Sequence, residues 1–228
     1  MSTNSSFAKF LRFIGIVLMA LTGGFTLLGG IGTTCAALAP TNFGSMAALA
    51  PFQWLYILFV IAGIALGVMG IRATIMLIKG ADKSYSDAMI ALIAGVVVGF
   101  IHIYMSRMLR GSSMPVDAVV YTTVLTLVIF LLFKIPAVWQ GVDFAKAKAN
   151  KNKPAGGVAA IILGILTLTI QYTMGPTHTW SNVNYADAFN ASMTGIGIAC
   201  LLLGAGILVG AKNFRLAANR PIVQERSV

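Results

Sequence analysis

The sequence predicts an all-α, polytopic integral membrane protein of six transmembrane helices, and composition, apolar run length and charge placement each point there. Of its 228 residues 58% are hydrophobic and only 10% charged, against roughly 25% charged in soluble domains. Mean hydropathy is +0.88. A helix needs about 20 mainly apolar residues to cross the hydrocarbon core. Six runs qualify, at about 13–34, 54–78, 88–106, 117–138, 157–174 and 192–211. These runs are continuous rather than alternating, which excludes a strand-built barrel. Residues 1–228 therefore read as a single transmembrane domain, with a short basic tail at 212–228.

The first run follows Lys9 and Arg12, as the core of a signal peptide would. Apolar, glycine-rich sequence then continues to about Ile31 and no A-x-A site bounds a short core, so a retained first helix is expected. With the N-terminus in the cytoplasm, 14 of the 16 basic residues fall on the inner side, leaving only Arg107 and Arg110 outside. That bias places both termini in the cytoplasm of a bacterial-type plasma membrane. The formal net charge of +10 then lies mostly against inner-leaflet lipid, so a nucleic-acid partner is not expected. Its densest stretch is the linker FAKAKANKNKP, residues 144–154.

Between the first two runs, residues 33–54 carry no charge and repeat AALAP at 36–40 and 47–51. Pro40 and Pro51 break a continuous helix there, so short interfacial segments are expected. Pro136 is expected to end or kink the fourth helix and to turn AVWQGVDF along the inner face. Trp180, Tyr185 and Phe189 in the last outer loop suit the bilayer interface.

Internal spacing suggests three tandem helical hairpins. A shift of 69 residues lays Gly95 on Gly164, Ile101 on Ile170, Met105 on Met174 and Gly141 on Gly210. The first hairpin joins through Gly15 and Gly70, with a longer loop. Chance matching among 24 glycines is the competing account. Under the repeat, Thr22, His102 and Gln171 stand seven residues after the first glycine of each hairpin and converge at one depth. They are expected either to bond one another across helices or to line a small ligand pocket. Arg107, at the outer end of the third run, is a candidate anion-binding residue or a partner for Asp117. Arg72, Asp143 and Lys212 each follow a repeat glycine by two residues, and an ion-pair cluster joining the hairpins is expected among them. Gly63 with Gly67 and Gly206 with Gly210 form GxxxG pairs whose default use is packing within the chain.

The stretch HIYMSRMLR, residues 102–110, has copper(I)-type donors in His102, Met105 and Met108. On one helix His102 and Met108 are about 9 Å apart along the axis and on different faces, so one ion does not reach all three. No metal or other cofactor is expected. The six acidic residues lie at helix ends, in loops or in the tail. No nucleophile elbow, phosphate-binding loop or HExxH motif occurs, so no enzymatic activity is expected. The expected function is that of a structural or accessory subunit of a membrane complex, or of a self-assembling membrane protein. The alternative is a small-molecule or ion transporter with Thr22, His102 and Gln171 at its polar centre.

Overall fold

The computed structural model of the chain describes residues 2–147, 149–180, 182–184, 187 and 190–218. Helix α1 spans Ser6–Gly32 and is followed by α2, Thr34–Leu38, and two 3-10 segments, Pro40–Asn42 and Gly44–Phe52. The remaining helices are α3 (Gln53–Lys79), α4 (Ser84–Arg110), α5 (Val116–Phe133), α6 (Pro136–Val142), α7 (Ala149–Leu168), α8 (Ile170–His178) and α9 (Asn190–Ala218). A two-residue antiparallel ladder, Thr179–Trp180 with Val183–Asn184, separates α8 from α9.

Local sequence explains the ends. Ser5 caps α1 by accepting the Ala8 backbone N–H at 3.2 Å. Gly80 and Gly111 close α3 and α4 in the left-handed region, with φ of 68° and 72°, where a side chain would be strained. The fourth predicted run, 117–138, stops as a helix at Phe133, and Pro136 opens α6 at its first turn, where a missing N–H costs nothing.

Five helical segments among the described residues are long and apolar enough to cross a membrane: Ser6–Leu38, Met46–Lys79, Ser84–Arg110, Val116–Phe133 and Asn190–Asn213. The fifth predicted run, 157–174, differs. It lies on a shorter apolar helix, Asn152–Leu168, that is interrupted at Thr169 before α8 begins. The Thr169 hydroxyl bonds back to the Ile165 carbonyl at 3.0 Å, a side-chain contact that competes with the helical ladder.

Four of the long helices close a ring in which α1 packs on α3 and α5, and α4 packs on the same two. α7 adds to α1 and α3, and α9 adds to α7. Helix α1 is thus the hub. At its N-terminal end the core gathers Ile16, Met19, Tyr85, Phe130, Phe133 and Phe144. At the opposite, far end, the loop expected to lie on the membrane folds inward. Ala36, Ala37 and Leu49 from it bury against Tyr56 and Phe59, and the Gln53 side-chain amide donates to the Ala37 carbonyl at 3.2 Å.

Paired glycines set the closest approaches. A β-carbon added at Gly23 would stand 2.8 Å from the Gly70 carbonyl carbon, and one at Gly30 would stand 2.8 Å from that of Gly63. The same arrangement recurs between α7 and α9. There a β-carbon at Gly164 would be 2.8 Å from the Gly197 carbonyl oxygen, and one at Gly204 would be 2.7 Å from that of Gly157. A shift of 134 residues carries Gly23, Gly30, Gly63 and Gly70 onto Gly157, Gly164, Gly197 and Gly204.

The predicted 69-residue shift does not reproduce surroundings in this way. Gly95 faces Thr123 on α5, Gly164 faces Gly197 on α9, Gly141 is buried beneath Arg12, and Gly210 opens outward. Gly63 and Gly67 do pack within the chain, against Gly30 and Leu27. The intramolecular use expected of Gly206 and Gly210 is not seen among the described residues, where an added β-carbon at either meets nothing within 4 Å while Gly197 and Gly204 seat α7.

The two glycine classes respond oppositely to one added methyl group. Gly70→Ala is expected to lower stability by about 1–3 kcal/mol through overpacking. Gly206→Ala is expected to be neutral or stabilising by up to about 1 kcal/mol. Reversible unfolding of both variants in mixed micelles measures the difference.

Candidate functional site

The residues expected to form one polar centre occupy separate places. Thr22 lies at the middle of the ring, where its hydroxyl meets that of Thr126 at 2.8 Å. The Thr126 proton is committed to the Thr122 carbonyl at 2.8 Å, so Thr22 is the donor of the pair. Beside them is a cavity of about 10 Å³ lined by Thr22, Thr26 and Thr123 together with Met19, Leu66 and Gly95. A space of that size holds about one water molecule.

His102 stands seven residues beyond Gly95 on α4, about 10 Å further along the axis. It is 9% exposed, its ring stacks on Phe59 at 4.2 Å between centroids, and Tyr56 meets it edge-on at 5.6 Å. The Tyr56 hydroxyl in turn bonds the Ser106 hydroxyl at 2.8 Å. Gln171 is on α8, which packs on α7 and the short ladder, and its side chain lies outside the described residues. Thr22 and His102 therefore do not converge. Their equal offsets from Gly15 and Gly95 imply equal depth only if those glycines are equivalent, and Gly15 instead meets Phe133 and Phe144.

The far end of α4 carries a compact polar constellation. Arg107 donates from Nη2 to Asp117 Oδ1 at 2.8 Å and from Nε to Ser113 Oγ at 2.9 Å, while Ser113 donates to Asp117 Oδ2 at 2.6 Å. Glycine at 111 and the turn that follows bring these three side chains into a closed ring. The Asp117 side chain is 8% exposed and sits in the first turn of α5, where the positive end of the helix favours a carboxylate. The Arg107 side chain is 56% exposed, so its guanidinium is oriented from behind and open in front. Arg110 donates to the Met114 carbonyl at 2.8 Å, which satisfies a hydrogen bond without balancing a charge.

The expected cluster of Arg72, Asp143 and Lys212 does not form. Asp143 pairs with Lys146 at 3.1 Å, three residues along, while Arg72 and Lys212 are exposed. Asp143 follows the end of the short helix α6, and a partner one turn away in the chain is nearer than one on another helix.

The cation of consequence at that end is Arg12, which spacing alone gave no reason to single out. It is only 2% exposed. It donates from Nη1 to the Gly141 carbonyl at 2.5 Å and from Nη2 to the Thr3 carbonyl at 2.9 Å, and its Nε has no partner among the described residues. Its place on the same run as the glycines, six residues inside the start of α1, was the available signal. Cys35 and Cys200 are free thiols. Comparison of the chain with protein-family models, with characterised proteins and with solved structures finds no match.

Arg12 ties α6 and the N-terminal segment to the bundle through charge-assisted hydrogen bonds. Arg12→Met is expected to cost about 2–3 kcal/mol. Lys146→Met, which removes an exposed ion pair, is expected to cost well under about 1 kcal/mol. Equal losses in a reversible unfolding titration would contradict this assignment.

Proposed function

We propose that this chain is a non-catalytic integral membrane protein that works by associating with other membrane chains, either copies of itself or other subunits of a membrane complex. It crosses the bilayer six times in this reading, with α7 and α8 together as the fifth crossing. The apolar part of α7, Asn152–Leu168, extends about 25 Å, and α8 continues in line of sequence. Both termini are cytoplasmic, on the distribution of lysine and arginine, in a bacterial-type plasma membrane.

The observation that carries the association reading is the outward face of α9. Among the described residues nothing lies within 4 Å of a β-carbon added at Gly206 or Gly210, and Leu202, Leu203 and Val209 beside them are largely exposed. Small residues between large apolar ones let a second helix approach closely in lipid. Transport through a polar centre has less support, since Thr22 and His102 lie apart and the cavity beside Thr22 accommodates about one water.

Association in a bilayer tests the proposal. Donor- and acceptor-labelled chains diluted with lipid are expected to show energy transfer that a Gly206→Leu, Gly210→Leu double variant weakens by roughly tenfold. Unchanged transfer in that variant, or a labelled chain that stays monomeric beside co-extracted membrane proteins, sinks it. Solute passage through liposomes that is lost on Thr22→Val substitution would favour the transporter instead.

A further inference from the structure

A groove of about 520 Å³ runs between α4 and α5 at the far end of the bundle, lined by Phe100, Ile103, Tyr104, Arg107, Met108 and Tyr121. Its size falls in the range of small-molecule sites. Five of these residues lie on one stripe of α4, and Phe100 is about 10 Å deeper than Arg107 along the axis. Phe100, Tyr104, Met108 and Tyr121 are all largely exposed on helices long enough to cross a bilayer, so the groove faces the lipid. Tyrosine and arginine mark its upper end at headgroup level, while Phe100 and Ile103 mark the acyl level.

The polar end is built rather than incidental. Asp117 and Ser113 hold Arg107 from behind, taking one N–H from Nε and one from Nη2. A guanidinium has five N–H groups; besides those taken by Ser113 and Asp117 it interacts with the Tyr121 hydroxyl at the groove wall, and the remaining donors stay on the open side. Asp117 pairs with Arg107, and Arg110 donates to a backbone carbonyl, so among the described residues the Arg110 charge has no salt bridge of its own. Planar guanidinium edges match phosphate oxygens, and aromatic rings suit the glycerol and upper chain region.

We propose that this groove binds one anionic phospholipid, its phosphodiester on Arg107 and the upper part of an acyl chain along Tyr104, Ile103 and Phe100. The site rests on α4 and α5 crossing the bilayer. It does not rest on the association of α9, and the leaflet follows from the orientation proposed above.

The test uses the full chain in nanodiscs of phosphatidylcholine with a minor fraction of phosphatidylglycerol, with native mass spectrometry counting lipids retained on release. Retention of one phosphatidylglycerol in preference to phosphatidylcholine is expected. The Arg107→Gln, Asp117→Asn double variant removes both charges without stranding the buried carboxylate, and is expected to reduce that preference about fivefold. Met108→Trp, which leaves the ion pair intact and narrows the groove, is expected to reduce it as well. Undiminished preference in both variants overturns the proposal. So does displacement of phosphatidylglycerol by inorganic phosphate at matched concentration, which would mark a free-anion site. A photoreactive residue at Tyr104 that captures a protein chain in place of lipid overturns it too.

Discussion

The spacing of glycine along α1 governs how the rest of the bundle is arranged. Lipid tails are as apolar as leucine, so helices in a bilayer gain little from burying apolar surface and hold together by close van der Waals contact. Gly23 and Gly30 stand seven residues apart, which returns them to nearly the same face of α1, and Gly63 and Gly70 do the same on α3. Backbone therefore meets backbone at two levels. With that face of α1 committed, Gly24 on the adjacent face admits the Leu163 side chain of α7, and Gly15 admits Phe133 and Phe144. Each neighbour of α1 enters where a side chain is missing.

The polar groups obey the same solvent. In hydrocarbon a hydroxyl needs a partner, and Thr74, Thr123, Thr126 and Thr167 each donate to the carbonyl four residues back. The helices thus satisfy most hydroxyls within themselves and reserve few for contacts between helices, of which Thr22 with Thr126 and Tyr56 with Ser106 are the buried pairs described above. Loop residues 33–52 cover α3 and α4 at the far end, while α6 packs over Arg12 at the other, where the Lys134 ammonium lies over the Tyr85 and Trp139 rings at 4.6 and 4.2 Å. That cation–π pairing lets a lysine stay at the rim of an otherwise aromatic cluster.

What the sequence makes legible follows from which signals are one-dimensional. Run length and charge deficit identify the long apolar helices directly, because crossing lipid is a property of a single segment. Pro136 and Gly111 mark breaks for the same local reason. Contacts between segments are harder. GxxxG is visible at Gly63 and Gly67 and at Gly206 and Gly210 alike, yet only the first pair is inside. The heptad-spaced glycines that do seat helices were present in the sequence as a 134-residue echo, obscured by a 69-residue match with unlike surroundings. Arg12 reads as an interfacial cation until α6 folds over it.

Helix α9 shows how one helix can carry two glycine faces. Gly197 and Gly204 point at α7 and are seven residues apart. Gly206 follows Gly204 by two residues and Gly210 by six, rotations of about 200° and 240° on a helix of 100° per residue. They therefore lie roughly opposite the α7 contact. Glycine within a helix costs about 1 kcal/mol relative to alanine, and the inner pair recovers that cost through close packing that a β-carbon would block. On the outer face no neighbour within the described chain offers the same compensation to Gly206 and Gly210. A second helix laid along that face would supply it by the same geometry that α7 uses on the other side.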